Sequence, residues 1–129
     1  FGADGIADIV EVVSDKELLT NLEYTDHFSI GAQNDMAVDF VKAFNEAYGK
    51  DPVISFCATG YDAALVLLNA IESAGSTEYD AVVEAIKATN VNAVSGSIKF
   101  DDHNDPIKSI FFQTFDNQGN KLFVKQLDP

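Results

Sequence analysis

Apolar residues recur along this chain with two spacings, and the switch between them predicts its elements. Ile6, Ile9, Val10 and Val13 stand at i, i+3, i+4 and i+7, the stripe of a short helix, although Ile9 to Val13 also reads as a strand. They follow a glycine-punctuated turn, Phe1 to Gly5, with Asp4 where an N-cap would sit. Ser14-Asp15-Lys16-Glu17 has the spacing of a capping box and opens a further helical turn through Leu19. Leu22, Tyr24 and Phe28 then alternate with Glu23, Thr25 and His27, the period-2 pattern of a half-buried strand, before a polar connection from Ser29 to Gln33.

Asn34 caps the clearest helix, whose apolar seam is Ala37, Val41, Phe44 and Tyr48; Gly49 supplies the stop and Pro52 bars continuation. Val53 to Ala58 is continuously apolar and reads as a short buried strand. Thr59-Gly60-Tyr61-Asp62 then forms a tight turn into a second helix. Ala64, Leu67, Leu68 and Ile71 line one of its faces and Ala63, Leu65, Val66 and Ala70 the other, so it is expected to be covered on most sides up to Gly75. Thr77-x-x-Asp80 caps a third helix through Val82, Val83 and Ile86 that ends near Asn90. Beyond it, Val94–Phe100, Ile107–Phe115 and Lys121–Leu127 are strand-like, separated by the turn sequences 101–106 and 116–120. The whole is an α/β chain with an antiparallel tail.

Composition narrows the function. The 129 residues allow one domain, and 47% hydrophobic content is that of a globular protein. With 21 acidic against 8 basic side chains the formal charge is -13, a field that repels nucleic acid and anionic lipid and suits cationic or zwitterionic small molecules. A single cysteine, Cys57, excludes an internal disulfide framework and a Cys-rich zinc module. No apolar run is long enough to span a membrane, and no signal peptide opens the chain. The first residue is Phe1 rather than Met, as in a processed or excised product.

Catalysis finds little support. His27 and His103 lie in no metal-ligand or nucleophile–base spacing, and Cys57 in its apolar run has no neighbouring cation to activate it. Phosphate-binding and nucleophile-elbow motifs are missing. Asp101 to Asp105 starts like a calcium loop but has Pro106 and Phe112 where such a loop needs Gly and Glu, so neither a metal nor a cofactor is expected. Two places remain. Asp4 is either a plain N-cap or an anionic partner for a ligand ammonium. Phe56 and Tyr61 flank the expected strand-to-helix turn, where aromatics either pack in the core or wall a ligand pocket at the end of a strand.

Five stretches in register carry a resemblance: Phe1–Gly5, Phe40–Pro52, Thr59–Ala64, Ala70–Ser76 and Ser95–Asp101. The Gly60-Tyr61-Asp62-Ala63-Ala64 and Ser95-Gly96-x-Ile98-x-Phe100-Asp101 pieces weigh most. Together they resemble the C-terminal part of the periplasmic solute-binding proteins of branched-chain amino acid ABC transporters, the type I periplasmic-binding fold.

That resemblance implies a partial two-lobed, Rossmann-like fold with antiparallel C-terminal strands. Residues 1–28 would belong to the second lobe, 29–106 to the first, and 107–129 would cross back. It also implies a binding protein rather than an enzyme: the last third of a periplasmic or extracellular receptor, with a lipid anchor on the full-length protein as one option. Such a receptor delivers an amino acid or related amide to the membrane subunits of an importer. Asp4 matches the family's acidic residue at the ligand ammonium, Phe56 matches an aromatic of the pocket, and Tyr61 is a neighbour with a structural part. A membrane-bound sensor with the same fold is the alternative, and an acidic enzyme subunit would need a catalytic pair that is not found. The missing lobe surface should leave apolar area bare, with Phe111, Phe112, Phe115 and Phe123 as candidates, and the isolated chain is expected to form a homodimer by exchanging its tail or first helix.

Overall fold

β-branched residues make up the first apolar stripe, so a continuous helix is disfavoured there. The computed structural model, which describes residues 1–129, has isolated 3₁₀ turns instead, at Asp4–Ile6, Ile9–Glu11 and Lys16–Leu19. The stripe is nonetheless real: Ile6, Ile9, Val10 and Val13 pack on Leu19, Tyr24 and Phe115. Asp15, rather than Ser14, caps the third turn by accepting the Glu17 N–H at 3.1 Å.

The strand β1 spans Tyr24–Asp26, and the three helices are α1 (Asp35–Tyr48), α2 (Ser55–Ala74) and α3 (Tyr79–Lys87). Asn34 caps α1 as expected, its side chain accepting the Ala37 N–H at 2.8 Å, and Gly49 ends the helix at φ 67°. The apolar run from Val53 differs from expectation. Val53 and Ile54 are exposed and Ile54 is the N-cap of α2, so residues 55–58 are the first turn of the helix and not a buried strand. The Thr59–Asp62 segment is helix interior rather than a turn. A continuous apolar run has no period to separate helix from strand, and here the long helix-forming stretch that follows extends back through it. Nor is α2 covered on most sides. It buries the stripe Ser55, Ala58, Asp62, Val66 and Ala70 and leaves Phe56, Leu67 and Leu68 bare. The cap of α3 is Glu78, whose N–H is taken by the Ser76 hydroxyl; Thr77 does not serve.

Five strands complete the chain: β2 (Asn90–Ala93), β3 (Gly96–Phe100), β4 (Pro106–Ile107), β5 (Ile110–Phe115) and β6 (Lys121–Leu127). Strand β2 was not expected from the sequence, and Val94-Ser95 is the two-residue turn that joins it to β3. Two antiparallel sheets result, in the orders β1-β5-β6 and β2-β3-β4. Lys108 and Ser109 link one sheet to the other. Both hairpin turns of the tail are closed by an aspartate: Asp101 accepts the N–H groups of His103 and Asp105, and Asp116 those of Gln118 and Asn120.

The core lies between the sheets and helices. Phe28, Phe40, Ala58, Val94 and Phe111 form its largest part, with Phe28 edge-on to both Phe40 and Phe111. Phe111 and Phe115 are therefore fully buried, contrary to the expectation of bare tail aromatics, while Phe112 and Phe123 are half-buried. The bare apolar side chains of the tail are aliphatic instead, Ile110, Leu122, Val124 and Leu127, and α2 adds Phe56, Leu67 and Leu68.

Candidate functional site

The N-terminal segment is tied to β1 before it reaches Asp4. The Gly2 N–H donates to the Glu23 carbonyl at 2.9 Å, and the Gly2 carbonyl accepts from Thr25 at 3.1 Å. Asp4 then begins the first 3₁₀ turn. Its side chain accepts no capping N–H, so the plain N-cap role is not the one it plays. The carboxylate is 43% exposed, and its one ionic neighbour is His27, with Nε2 at 3.6 Å from Oδ2. The adjacent carboxylate, Asp26, is turned inward: it accepts the His27 N–H at 2.7 Å and the Gln113 amide at 3.0 Å. A half-exposed carboxylate with unused lone pairs, on a backbone fixed by a strand, can accept a charge-assisted bond from an ammonium.

Phe56 lies in the first turn of α2 and is 67% exposed. The aromatic pair is thus carried by a helix, since no strand precedes it. Tyr61 packs its ring 5.2 Å from that of Phe40 and lines a groove of about 540 Å³ between α1 and α2, beside Phe44 and Cys57. Cys57 is half-buried on that helix, not in a strand. Asp4 and Phe56 share neither a contact nor any of the five principal clefts.

What connects their two segments is Lys121, whose Nζ donates to Asp8 Oδ1 at 3.3 Å and to the Val53 carbonyl at 3.2 Å. It borders a cleft of about 400 Å³ lined also by Asp8, Glu11, Ser29, Asp51 and Gln113. No local pattern singled out Lys121, because its partners are distant in sequence.

A second polar constellation was also missed, although an acid in the middle of an apolar helix was its visible signal. Asp62 is 2% exposed, and its two carboxylate oxygens accept the N–H groups of Val94 at 2.8 Å and Ser95 at 2.9 Å. Asp62 and Lys108 line one cleft. Burial holds the Lys108 ammonium below the ordinary lysine range, against the opposing pull of Asp62 and Asp26. Next to the turn, Gly96 has φ 99°, and a Cβ there would lie 2.3 Å from Ser109 Oγ. Ser109 in turn donates to Asp128 at 2.6 Å, which with Gln126 holds the Asp128 carboxyl below its usual range. His103 stands apart on the surface, 3.9 Å from Asp101.

A periplasmic binding protein family model matches residues 14–120. A leucine binding protein, LivK, from Thermotoga maritima superposes with a TM-score of 0.81 and 36% identity, over 98% of this chain and 36% of its own. The branched-chain amino acid substrate-binding protein LivJ of Streptococcus pneumoniae, solved with isoleucine, gives a TM-score of 0.79 at 22% identity, over 95% of this chain and 36% of its own. A solute-binding protein of R. palustris, solved with benzoate, gives 0.74 at 19%, over 97% of this chain and 33% of its own. The latter two establish likeness of fold. The chain spans about a third of the length of these proteins. No curated protein sequence matches it.

Proposed function

This chain belongs to the periplasmic binding protein family, and we propose that it is the C-terminal part of an extracytoplasmic solute-binding protein that captures a branched-chain amino acid or related amide for an ABC importer. The observation that carries the ligand class is Asp4, a half-exposed carboxylate free of capping bonds and fixed beside β1. It can receive the ammonium of a zwitterion. Phe56, bare at the start of α2, supplies the apolar wall from the other side.

In this reading residues 1–28 and 107–129 are parts of one lobe and 29–106 of the other. The sheet topology supports that division, since β1 pairs with β5 while all three helices and β2–β4 lie between them in sequence. Polypeptide beyond this chain completes the cleft and covers Leu67 and Leu68 on α2. Closure of the lobes around the ligand excludes water and strengthens the ammonium–carboxylate bond. The protein works as a receptor outside the cytoplasm, handing its ligand to membrane subunits, and it does no chemistry on it.

The test is calorimetry of L-leucine, L-isoleucine and L-valine with the full natural polypeptide and its Asp4→Asn variant. Loss of a charge-assisted bond should weaken binding on the order of tenfold or more with the unfolding midpoint unchanged. Equal affinity in the two proteins would remove Asp4 from the site.

A further inference from the structure

We infer that Lys121 is a positioning residue that clamps the segment carrying Asp4 to the segment carrying Phe56, and so sets the width of the proposed ligand site. The inference rests on the site reading above for its functional consequence, but its geometry stands alone. Lysines are among the least buried residues, yet the Lys121 side chain is only 15% exposed. Its ammonium donates in one direction to Asp8, shortly after Asp4, and in another to the Val53 carbonyl, shortly before Phe56. No other hydrogen bond or ion pair joins the N-terminal turns to the α1–α2 connection.

Both ends of the clamp are anchored. The β5–β6 turn that leads into Lys121 is closed by Asp116, which accepts the Gln118 and Asn120 N–H groups at 2.8 Å. Gly119 in that turn, at φ 87°, lies against Val10, where a Cβ would come within 2.4 Å of Cγ2. The hairpin is thus seated on the N-terminal turns. On the far side, the Val53 N–H donates to Asp51, whose carboxylate accepts from Asn45 at 2.8 Å on α1. Lys121 is also the only cation lining the cleft between these segments, with Asp8, Glu11 and Asp51 around it. Without it, the three carboxylates repel one another and the two segments move independently.

The experiment compares wild type, Lys121→Met, Lys121→Arg and Asp8→Asn in the full natural polypeptide, by amide hydrogen exchange and by calorimetry with L-leucine. Asp8→Asn keeps the lysine in place and serves if Lys121→Met fails to fold. Loss of the clamp should speed exchange on the order of tenfold in residues 4–11 and 51–57 while the interiors of α2 and α3 stay as they were, and Lys121→Arg should restore protection. Leucine should bind several-fold more weakly to Lys121→Met and normally to Lys121→Arg. Unchanged exchange in the two segments, or acceleration spread evenly over the chain, overturns the clamp. So does undiminished leucine affinity in Lys121→Met when Asp4→Asn binds poorly. If the local exchange pattern appears but Asp4→Asn binds leucine normally, the clamp stands and the ligand site lies elsewhere.

Discussion

The Asp62 carboxylate accepts the Ser95 backbone N–H at 2.9 Å, across 33 positions of sequence. With the Val94 N–H on its other oxygen, one side chain satisfies both amides of the β2–β3 turn and fastens that hairpin to α2. The two sequence pieces on which the family resemblance most depends, around Gly60–Ala64 and Ser95–Asp101, are therefore halves of one contact. Replacing Asp62 by Ala would strand two buried N–H groups and should cost about 2–4 kcal/mol, with Asp62→Asn losing less because one acceptor oxygen remains. Urea unfolding checks this; a loss under about 1 kcal/mol for the Ala variant would mean that the turn finds other partners.

Gly96 is required twice over. Its φ of 99° disfavours any side chain, and a Cβ would meet Ser109 Oγ at 2.3 Å and Ser109 Cβ at 3.0 Å. Gly96→Ala should lower stability by about 2 kcal/mol or more. Adding Ser109→Gly should recover the part due to collision and leave the part due to backbone strain. Full recovery in the double variant would show that the positive φ carries no penalty here.

Tyr24 is fully buried and its hydroxyl has no hydrogen-bond partner. Burial first, then the charges of Asp26 and Asp8, raises its pKa above the ordinary value of 10.0. The unfolded chain ionises its tyrosine first as pH climbs past 10, so the stability gained from keeping the proton in the fold is whole below that pH and is lost above it. Tyr24→Phe should be neutral or stabilising by about 1 kcal/mol at pH 7 and should flatten the alkaline decline. Thermal melts from pH 7 to 11 compare the two; an identical alkaline fall would assign the loss to other groups.

Phe56, Leu67 and Leu68 leave α2 with a bare apolar strip. In the 129-residue chain alone, a second copy is the expected cover, in line with the homodimer the sequence suggested. Leu67→Ser with Leu68→Ser should shift the light-scattering mass toward monomer. A wild-type chain already monomeric at tens of micromolar would defeat this expectation.

Helix ends were the most legible part of the fold. Asn34, Gly49 and Gly75 announce themselves because a cap needs a short polar acceptor and a left-handed stop needs glycine. The start of α2 was not, since Val53–Ala58 gives no period. In the tail, alternation revealed the hairpins but not the inward positions: Gln113 is buried on β5 while Ile110 is half exposed, and a register shift between Phe112 and Gln113 adjusts the pairing. Asp4 and Phe56 could be named only through family likeness. Lys121 could not be named at all, because its partners Asp8 and Val53 lie 113 and 68 positions away.

The pairing of β1 with β5 also orders events in time. Gln113 reaches Phe28 across 85 positions, so β1 cannot take its place beside β5 until the residues of β5 have been made. During synthesis the edge that β1 offers to β5 stays open while three helices form behind it, which makes the β5–β6 hairpin the step that closes this sheet.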